Sequence, residues 1–423
     1  MFVTTFQLSS TSFMKTTTFK VYKYRWVMLF VYMFIVAVNQ MLWITFAPIT
    51  SNAAKFYQVS DIQIGILSMS FMIVFIVMSF PASWLIDKYG IRIGVGTGAV
   101  LTGVFGLLRG VVKDDYTLLL MAQIGIAVGQ PFLLNAITKL AARWFPIEER
   151  ATAAGLGTFS MYIGILIAMM LTPYLTISHG INGVLNIYGV TAAVAAALFL
   201  IFSKENPPTA PCRPDQEERS LVLDGLKDML KNRGFYLLLF IFFIGLGIFN
   251  SVTTWIEDIL KPRGFSATQA GIAGGLMIIG GIVGALIMPM LSDHYKKRVP
   301  FIITALAGST LGLIGLTFTS NYIMILLSSV LFGYFLLSAG PIGFQYGAEI
   351  TYPASEGTSN GFILLAGQIS GIAFIFGMDG LKSPETGSMT TPLIYLIVLM
   401  FVATAASFKL KESKLLKETE SNS

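Results

Sequence analysis

The chain has 423 residues, of which 55% are apolar and 12% charged, with a net charge of +6 and a mean hydropathy of +0.74. Soluble domains carry about 25% charged residues, so little of this chain is left for a soluble domain, and the basic balance reads as Lys and Arg gathered in cytoplasmic loops, not as a nucleic-acid footprint. The single cysteine, Cys212, excludes an internal disulfide, and His179 and His294 stand far apart in loops, so no metal site and no cofactor is expected.

Residues 1–24 are rich in Thr, Ser and Phe without a continuous apolar core, and are expected to form a cytoplasmic tail instead of a cleaved signal. A bilayer-spanning helix needs about 20 apolar residues. Twelve segments qualify: 26–50, 62–86, 93–112, 116–140, 152–175, 183–202, 235–255, 270–291, 300–319, 322–344, 357–378 and 392–408. The first six make an N-terminal half, 25–203, and the last six a C-terminal half, 235–409. Between them, 204–234 reads as a cytoplasmic linker. It opens with Pro207, Pro208, Pro211 and Pro214 and continues as an amphipathic helix, with Leu221, Leu223, Leu226, Met229 and Leu230 on the side that lies along the membrane. Residues 410–423 form a second cytoplasmic tail. With both termini cytoplasmic, the outer loops hold Lys55, Arg109, Lys113, Lys261, Arg263 and Lys382, six of the 28 basic residues. The reverse topology would invert the positive-inside bias. The expectation is a monomeric, multi-pass protein of the plasma or inner membrane that contacts the lipid bilayer and a small-molecule substrate, with no nucleic-acid partner.

One loop occurs twice. After the second segment the sequence reads Ser83-Trp-Leu-Ile-Asp87-Lys88-Tyr-Gly90-Ile-Arg92, and after the eighth Pro289-Met-Leu-Ser-Asp293-His-Tyr-Lys296-Lys297-Arg298. The first resembles the hallmark motif of the major facilitator superfamily, G-x-L-x-D-x-x-G-R-K, with Ser83 for the leading Gly and Ile91 moving the Arg one place along. The resemblance implies an all-α membrane protein of the major facilitator fold, with twelve transmembrane helices in two pseudo-symmetric six-helix halves. It also implies a conformational latch on the cytoplasmic face, in which a carboxylate meets a helix N-terminus and an Arg. The matching residues are Asp87, Gly90 and Arg92 in the first half and Asp293 and Arg298 in the second, with Glu349 in the same layer.

The spans carry almost no charge at mid-depth. Asp87, Asp293 and Glu349 fall at cytoplasmic helix ends, and Arg109, Glu257, Asp258 and Asp379 at outer ends. Buried ionisable groups mark proton pathways. Their absence points to facilitative or potential-driven movement. So do Gly125, where proton-coupled exporters of the superfamily carry an Arg, and the lack of a Gly-Pro motif in Gly157-Thr-Phe-Ser-Met-Tyr-Ile-Gly164. The neutral polar candidates are Asn39 and Trp43, four apart on one face of the first helix; Gln130, before Pro131, where the fourth should kink; Asn250 with Thr254 on the seventh; and Gln368 on the eleventh. Each amide has two readings, a cavity-lining group or a bond that joins helices. The Gly-rich run at 271–284 reads as close helix packing.

The stretch Glu349-Ile-Thr-Tyr-Pro353-Ala-Ser-Glu356-Gly-Thr-Ser359-Asn-Gly, followed by Gln368, resembles the feline leukaemia virus subgroup C receptor-related family of solute carriers. Phe80-Pro-Ala-Ser-Trp-Leu-Ile-Asp87 and Asn39-Gln-Met-Leu-Trp43 agree, and the likeness runs from about Tyr24 to Phe408 without the long tails of animal members, as in a prokaryotic relative. It implies a transporter, not an enzyme, of choline- or ethanolamine-like solutes; haem export has also been assigned to members. A quaternary ammonium would be held between aromatic faces, and the matching residues are Trp43, Gln130 and Gln368. Asn250 stands where the family has an aromatic residue, so half of the cage is missing unless Phe249 or Trp255 takes its place. The implied site is Asn39, Trp43, Gln130, Asn250 and Gln368, serving alternating access for a small polar or cationic solute. An ion-coupled exporter of haem, drugs or metabolites and a non-transporting receptor stay open as alternatives, although no mid-membrane His, Cys or Tyr set suits haem iron.

Overall fold

The computed structural model describes residues 21–112, 114–209, 229, 231–352 and 356–413. The amphipathic part of the linker and most of both tails lie outside these residues. The described chain is helical: α1 (Tyr24–Ile44), α2 (Thr50–Tyr57), α3 (Asp61–Tyr89), α4 (Ile91–Val111), α5 (Tyr116–Leu134), α6 (Ile137–Trp144), α7 (Ile147–Phe202), α8 (Arg233–Thr254), α9 (Ile256–Leu260), α10 (Ala267–His294), α11 (Val299–Phe318), α12 (Tyr322–Thr351), α13 (Glu356–Gly380) and α14 (Thr390–Ser407). A 3-10 turn at Ala47–Ile49, with Pro48 inside it, joins α1 to α2 as one bent span.

Among the described residues eleven helical runs are long and apolar enough to cross a bilayer, and α7 accounts for the twelfth span. At 56 residues a straight α7 would be about 84 Å long, nearly three bilayer cores. It is broken at Gly180, whose φ of 67° suits glycine. The Thr172 and Tyr188 hydroxyls, 16 residues apart, lie 2.9 Å from each other; a straight helix would hold those positions about 24 Å apart. The chain therefore doubles back at Gly180, and α7 supplies the fifth and sixth spans.

The two halves repeat in register. Ser60 and Gln63 form a capping box at the start of α3, and Ser266 and Gln269 form the same box at the start of α10. Asp115 caps α5 and Asn321 caps α12. Each is followed by a tyrosine whose hydroxyl returns to the capping-box glutamine: Tyr116 donates to the Gln63 carbonyl at 2.6 Å and Tyr322 to the Gln269 carbonyl at 3.2 Å, both across 53 residues. One spacing relates all of these pairs, and it also relates Asp87 to Asp293 and Arg92 to Arg298.

Each half ends by capping itself. Glu205, three residues past α7, accepts from the Ile91 amide at 3.0 Å and the Arg92 amide at 2.7 Å. Glu412, five residues past α14, accepts from the Arg298 amide at 3.1 Å and the Val299 amide at 2.9 Å. A carboxylate is favoured at a helix N-terminus because the first-turn amides have no partner within the helix.

The glycine run on α10 packs on two sides. Gly271, Gly274 and Gly275 lie against Met169 and Met170 of α7, while Gly280 and Gly284 lie against the backbone of Val330 and Tyr334 in α12. The first set joins the two halves. Among the described residues, the hydrogen bonds and ion pairs between halves lie at the same end of the bundle, around Ser51, Asp61, Glu257, Lys261 and Lys382. The Asp87 and Asp293 loops lie at the opposite end. These ends are the Lys382 face and the Asp87 face below, and the structure is closed at the former.

Replacing Glu205 or Glu412 by Ala should each destabilise the protein by about 1 kcal/mol, the ordinary value of a lost helix cap. Thermal unfolding in detergent should show both midpoints lowered, with Glu385→Ala, an exposed loop change, unchanged.

Candidate solute site and its gates

Trp43 lies near the end of α1, where the span bends. Its indole N–H donates to the Ser68 carbonyl of α3 at 3.1 Å, which fixes the ring. One turn further along α3, Met72 meets α8 and α13 at Gly371: a Cβ there would lie 2.8 Å from Met72 Sδ and 2.9 Å from Asn250 Nδ2. Asn250 itself donates to the Gly367 carbonyl at 3.2 Å. Ser68 and Met72 share a face of α3, so this helix of the first half links Trp43 to the Asn250–α13 contact in the second. Gln368 follows Gly367 and is half-buried; Gln130 is buried before Pro131. Among the described residues neither glutamine amide has a hydrogen-bond partner.

Asn39 turns elsewhere. It is fully buried and donates to Thr102 Oγ1 of α4 at 3.1 Å, tying the first span to the third. Trp255 is also fully buried, with its N–H on the Ile375 carbonyl at 3.2 Å, a bond between α8 and α13. The structure thus links Trp43 to Asn250 and α13 by way of α3, with Gln368 next to Gly367 in the chain, and sets Asn39 and Trp255 into helix packing. Phe249 is the counterpart of Trp43 in the register of the two halves, and both are 7% exposed. A separate cleft of about 400 Å³ opens on the Asp87 face between α10 and α12, lined by Pro289, Asp293, Arg298, Pro341, Ile342 and Gln345.

The latch residues differ between the halves. Asp87 pairs with Lys139 at 3.0 Å, not with Arg92. Arg92 is exposed, and the N-terminus of α4 is met by Glu205, which also pairs with Arg143. Gly90, at φ 91°, turns the chain into α4 where a Cβ would run into the Glu205 carboxylate. In the second half Arg298 does bridge Asp293 and Glu349, reaching the latter at 3.1 Å. The register explains the difference. Arg143 stands where the second half has Glu349, so the partner awaiting Arg92 is basic and Arg92 turns outward.

The sequence places Arg109 in an outer loop; the structure has it fully buried in the last turn of α4. Its guanidinium donates to the Leu42 carbonyl at 3.0 Å, Gln123 Oε1 at 2.9 Å and Thr45 Oγ1 at 3.2 Å, and lies 5.6 Å from the Phe46 ring centroid. These contacts hold the bend of the first span, next to Trp43. Glu257 and Asp258, read as outer-end charges, are likewise buried, each 3% exposed. Hydropathy places such residues at helix ends; burial there depends on neighbours distant in sequence, such as Gln123.

Twelve spans in two repeated halves, with aromatic and amide side chains near the seam and ion pairs at both faces, form the architecture of a secondary transporter. The chain belongs to the Major Facilitator Superfamily, whose sequence profile matches residues 28–375. Solute carrier family 49 member A3 of Xenopus tropicalis is 32% identical over 392 residues, covering 88% of this chain and 81% of that protein. The choline/ethanolamine transporter flvcr2a of Danio rerio is 28% identical over 427 residues, covering 95% and 90%. These similarities place the chain among the FLVCR-related members of the superfamily. In fold it matches a bacterial homologue of the human lysosomal transporter Spinster, solved in an inward-facing and unoccupied conformation, with a TM-score of 0.71 at 15% identity over 92% of this chain and 97% of that one.

Arg109→Lys should destabilise the protein, because an ammonium cannot serve three acceptors in the geometry of a guanidinium fork. A double-mutant cycle with Gln123→Leu, read by unfolding in detergent, should give a coupling of about 1–3 kcal/mol.

Proposed function

We propose that the protein moves a small polar or cationic organic solute across its membrane by alternating access, and that the movement is facilitated or driven by the membrane potential. The observation that carries this reading is the link from Trp43 through Ser68 and Met72 to Asn250 and α13, beside the unpaired amide of Gln368. Gln130, from the fourth span, supplies a second unpaired amide. A fixed indole face attracts a cation by its quadrupole without needing a hydrogen from it. Phe249, at the matching position of the second half, supplies the second aromatic face that Asn250 does not. Asn250 and the two glutamines suit a hydroxyl, amine or carbonyl on the same solute. The mid-depth groups are neutral, which favours a carrier that uses the solute's own charge over one that relays protons. The choline/ethanolamine transporters among the relatives support the same substrate class.

In this reading the Asp87 face and both termini are cytoplasmic, as the loop charges favour. On that face the Asp293–Arg298–Glu349 set and the Asp87–Lys139 pair order the helix ends within each half, and the Lys382 face is the outer gate.

The test is uptake of labelled choline and ethanolamine into proteoliposomes at one pH on both sides, with and without an imposed potential. Saturable uptake that follows the potential is expected. Trp43→Ala should raise the half-saturation concentration about 2- to 30-fold, the range of a cation–π contact, and Gln368→Leu should lower uptake. Wild-type vesicles that take up neither amine would sink the substrate assignment.

A further inference from the structure

The Lys382 face holds a charge cluster that the solute site does not use. Glu257 and Asp258, on α9, are each 3% exposed. Glu257 Oε2 accepts from the Ser51 amide of the first half at 2.7 Å, and Lys261 Nζ donates to Ser51 Oγ at 2.6 Å. Asp258 Oδ1 accepts from Lys382 Nζ at 2.8 Å, and the same ammonium holds Asp61 of the first half at 2.7 Å. Asp379, at the end of α13, lies within reach of the charges on Lys382 and Asp61. Four carboxyls therefore share this pocket of the interface with two ammonium groups, Lys261 and Lys382. The second oxygen of Asp258 is buried with no partner.

Buried like charges with too few counter-charges favour the neutral form of one of them. We propose that the Glu257–Asp258 pair is a proton-binding site built into the gate, and that a proton held there keeps the two halves closed on the Lys382 face. The proposal rests on the alternating-access reading, because it requires a second state in which this face is open.

Burial pushes the Glu257 carboxyl up to about 7, against the pull of the Ser51 amide and with the help of Asp258. Burial pushes Asp258 in the same direction, against the attraction of Lys382. For Lys382, burial works against the charge but Asp258 and Asp61 more than offset it, so it stays an ammonium. Opening would hydrate Glu257 and return it toward its ordinary value of 4.5. The closed state thus binds the proton more tightly than the open one. Its advantage is complete below the ordinary value and is lost as pH rises through about 7. Within that window the closed-to-open ratio should fall up to about tenfold per pH unit for one proton. The proton enters and leaves at the same face, so it governs how often the gate opens without being carried across.

The experiment is a spin-label distance measurement across the gate in nanodiscs, with Thr117→Cys and Thr386→Cys, two exposed positions on opposite halves, in a Cys212→Ser background. Between about pH 8 and about pH 5.5 the short-distance population should grow along the one-proton slope. Glu257→Gln, a permanently neutral mimic, should hold that population high and flatten the slope. Two distance populations in the wild type whose ratio ignores pH would overturn the proton site and leave alternation standing. An unchanged slope in Glu257→Gln would overturn the site as well. A single distance at every pH would overturn both the site and the alternating-access reading.

Discussion

Within a bilayer the backbone has no water to bond with, and every amide and carbonyl must be satisfied inside the protein. The arrangement of this chain follows from that constraint wherever a helix stops. Pro48 interrupts the helix within the first span, between α1 and α2, and the Leu42 carbonyl takes bonds from Arg109 and Gln123. The capping boxes of α3 and α10 and the caps at Asp115 and Asn321 do the same for the helix starts on the Lys382 face. Glu205 and Glu412 serve the third and ninth spans at the other face. Polar side chains at span ends are thus largely explained by backbone supply, and the glutamines at 130 and 368 stand out because they supply nothing.

The repeat is close in backbone capping and loose in charge. The two halves keep the same caps and the same tyrosine-to-carbonyl bond, yet exchange Glu349 for Arg143 at matching positions. That one difference redirects Arg92, leaves Asp87 to Lys139, and gives the two faces of the seam unlike gates. On the Asp87 face each described ion pair stays within one half. On the Lys382 face Lys382 and Ser51 reach across. Such asymmetry lets one end hold while the other parts.

Much of the fold was legible in the sequence. Span positions came from unbroken apolar runs, and the paired Asp87 and Asp293 loops disclosed the two halves. The break between the segments 152–175 and 183–202 is visible in the sequence, and the structure makes it a sharp reversal at Gly180. The Ser-x-x-Gln and Asp/Asn-Tyr caps are each too short to stand out in the sequence without the partner in the other half. The candidate site was less legible. Periodicity put Asn39 and Trp43 on one face, and the structure gives them different neighbours, Thr102 and Ser68, because adjacent helices divide that face between them. The sequence places Arg109 and Glu257 at outer helix ends but not under cover, because linear distance to a loop says nothing about what folds over it. The mid-depth glutamines were found because an amide in an apolar run is conspicuous whichever way it points.

The two terminal caps bear on how the molecule is made. Glu205 reaches back to the start of the third span, so the first half fastens itself with a residue of its own, three past the end of α7. A ribosome therefore delivers the cap of the third span with the first residues of the linker, before any of the second half is made. The second half is fastened likewise by Glu412, which arrives only after its last span. The order of synthesis sets two capped bundles side by side in sequence, and the seam between them can form only after the second has been made. A contact formed last, between bodies already complete, can be broken and remade without disturbing either.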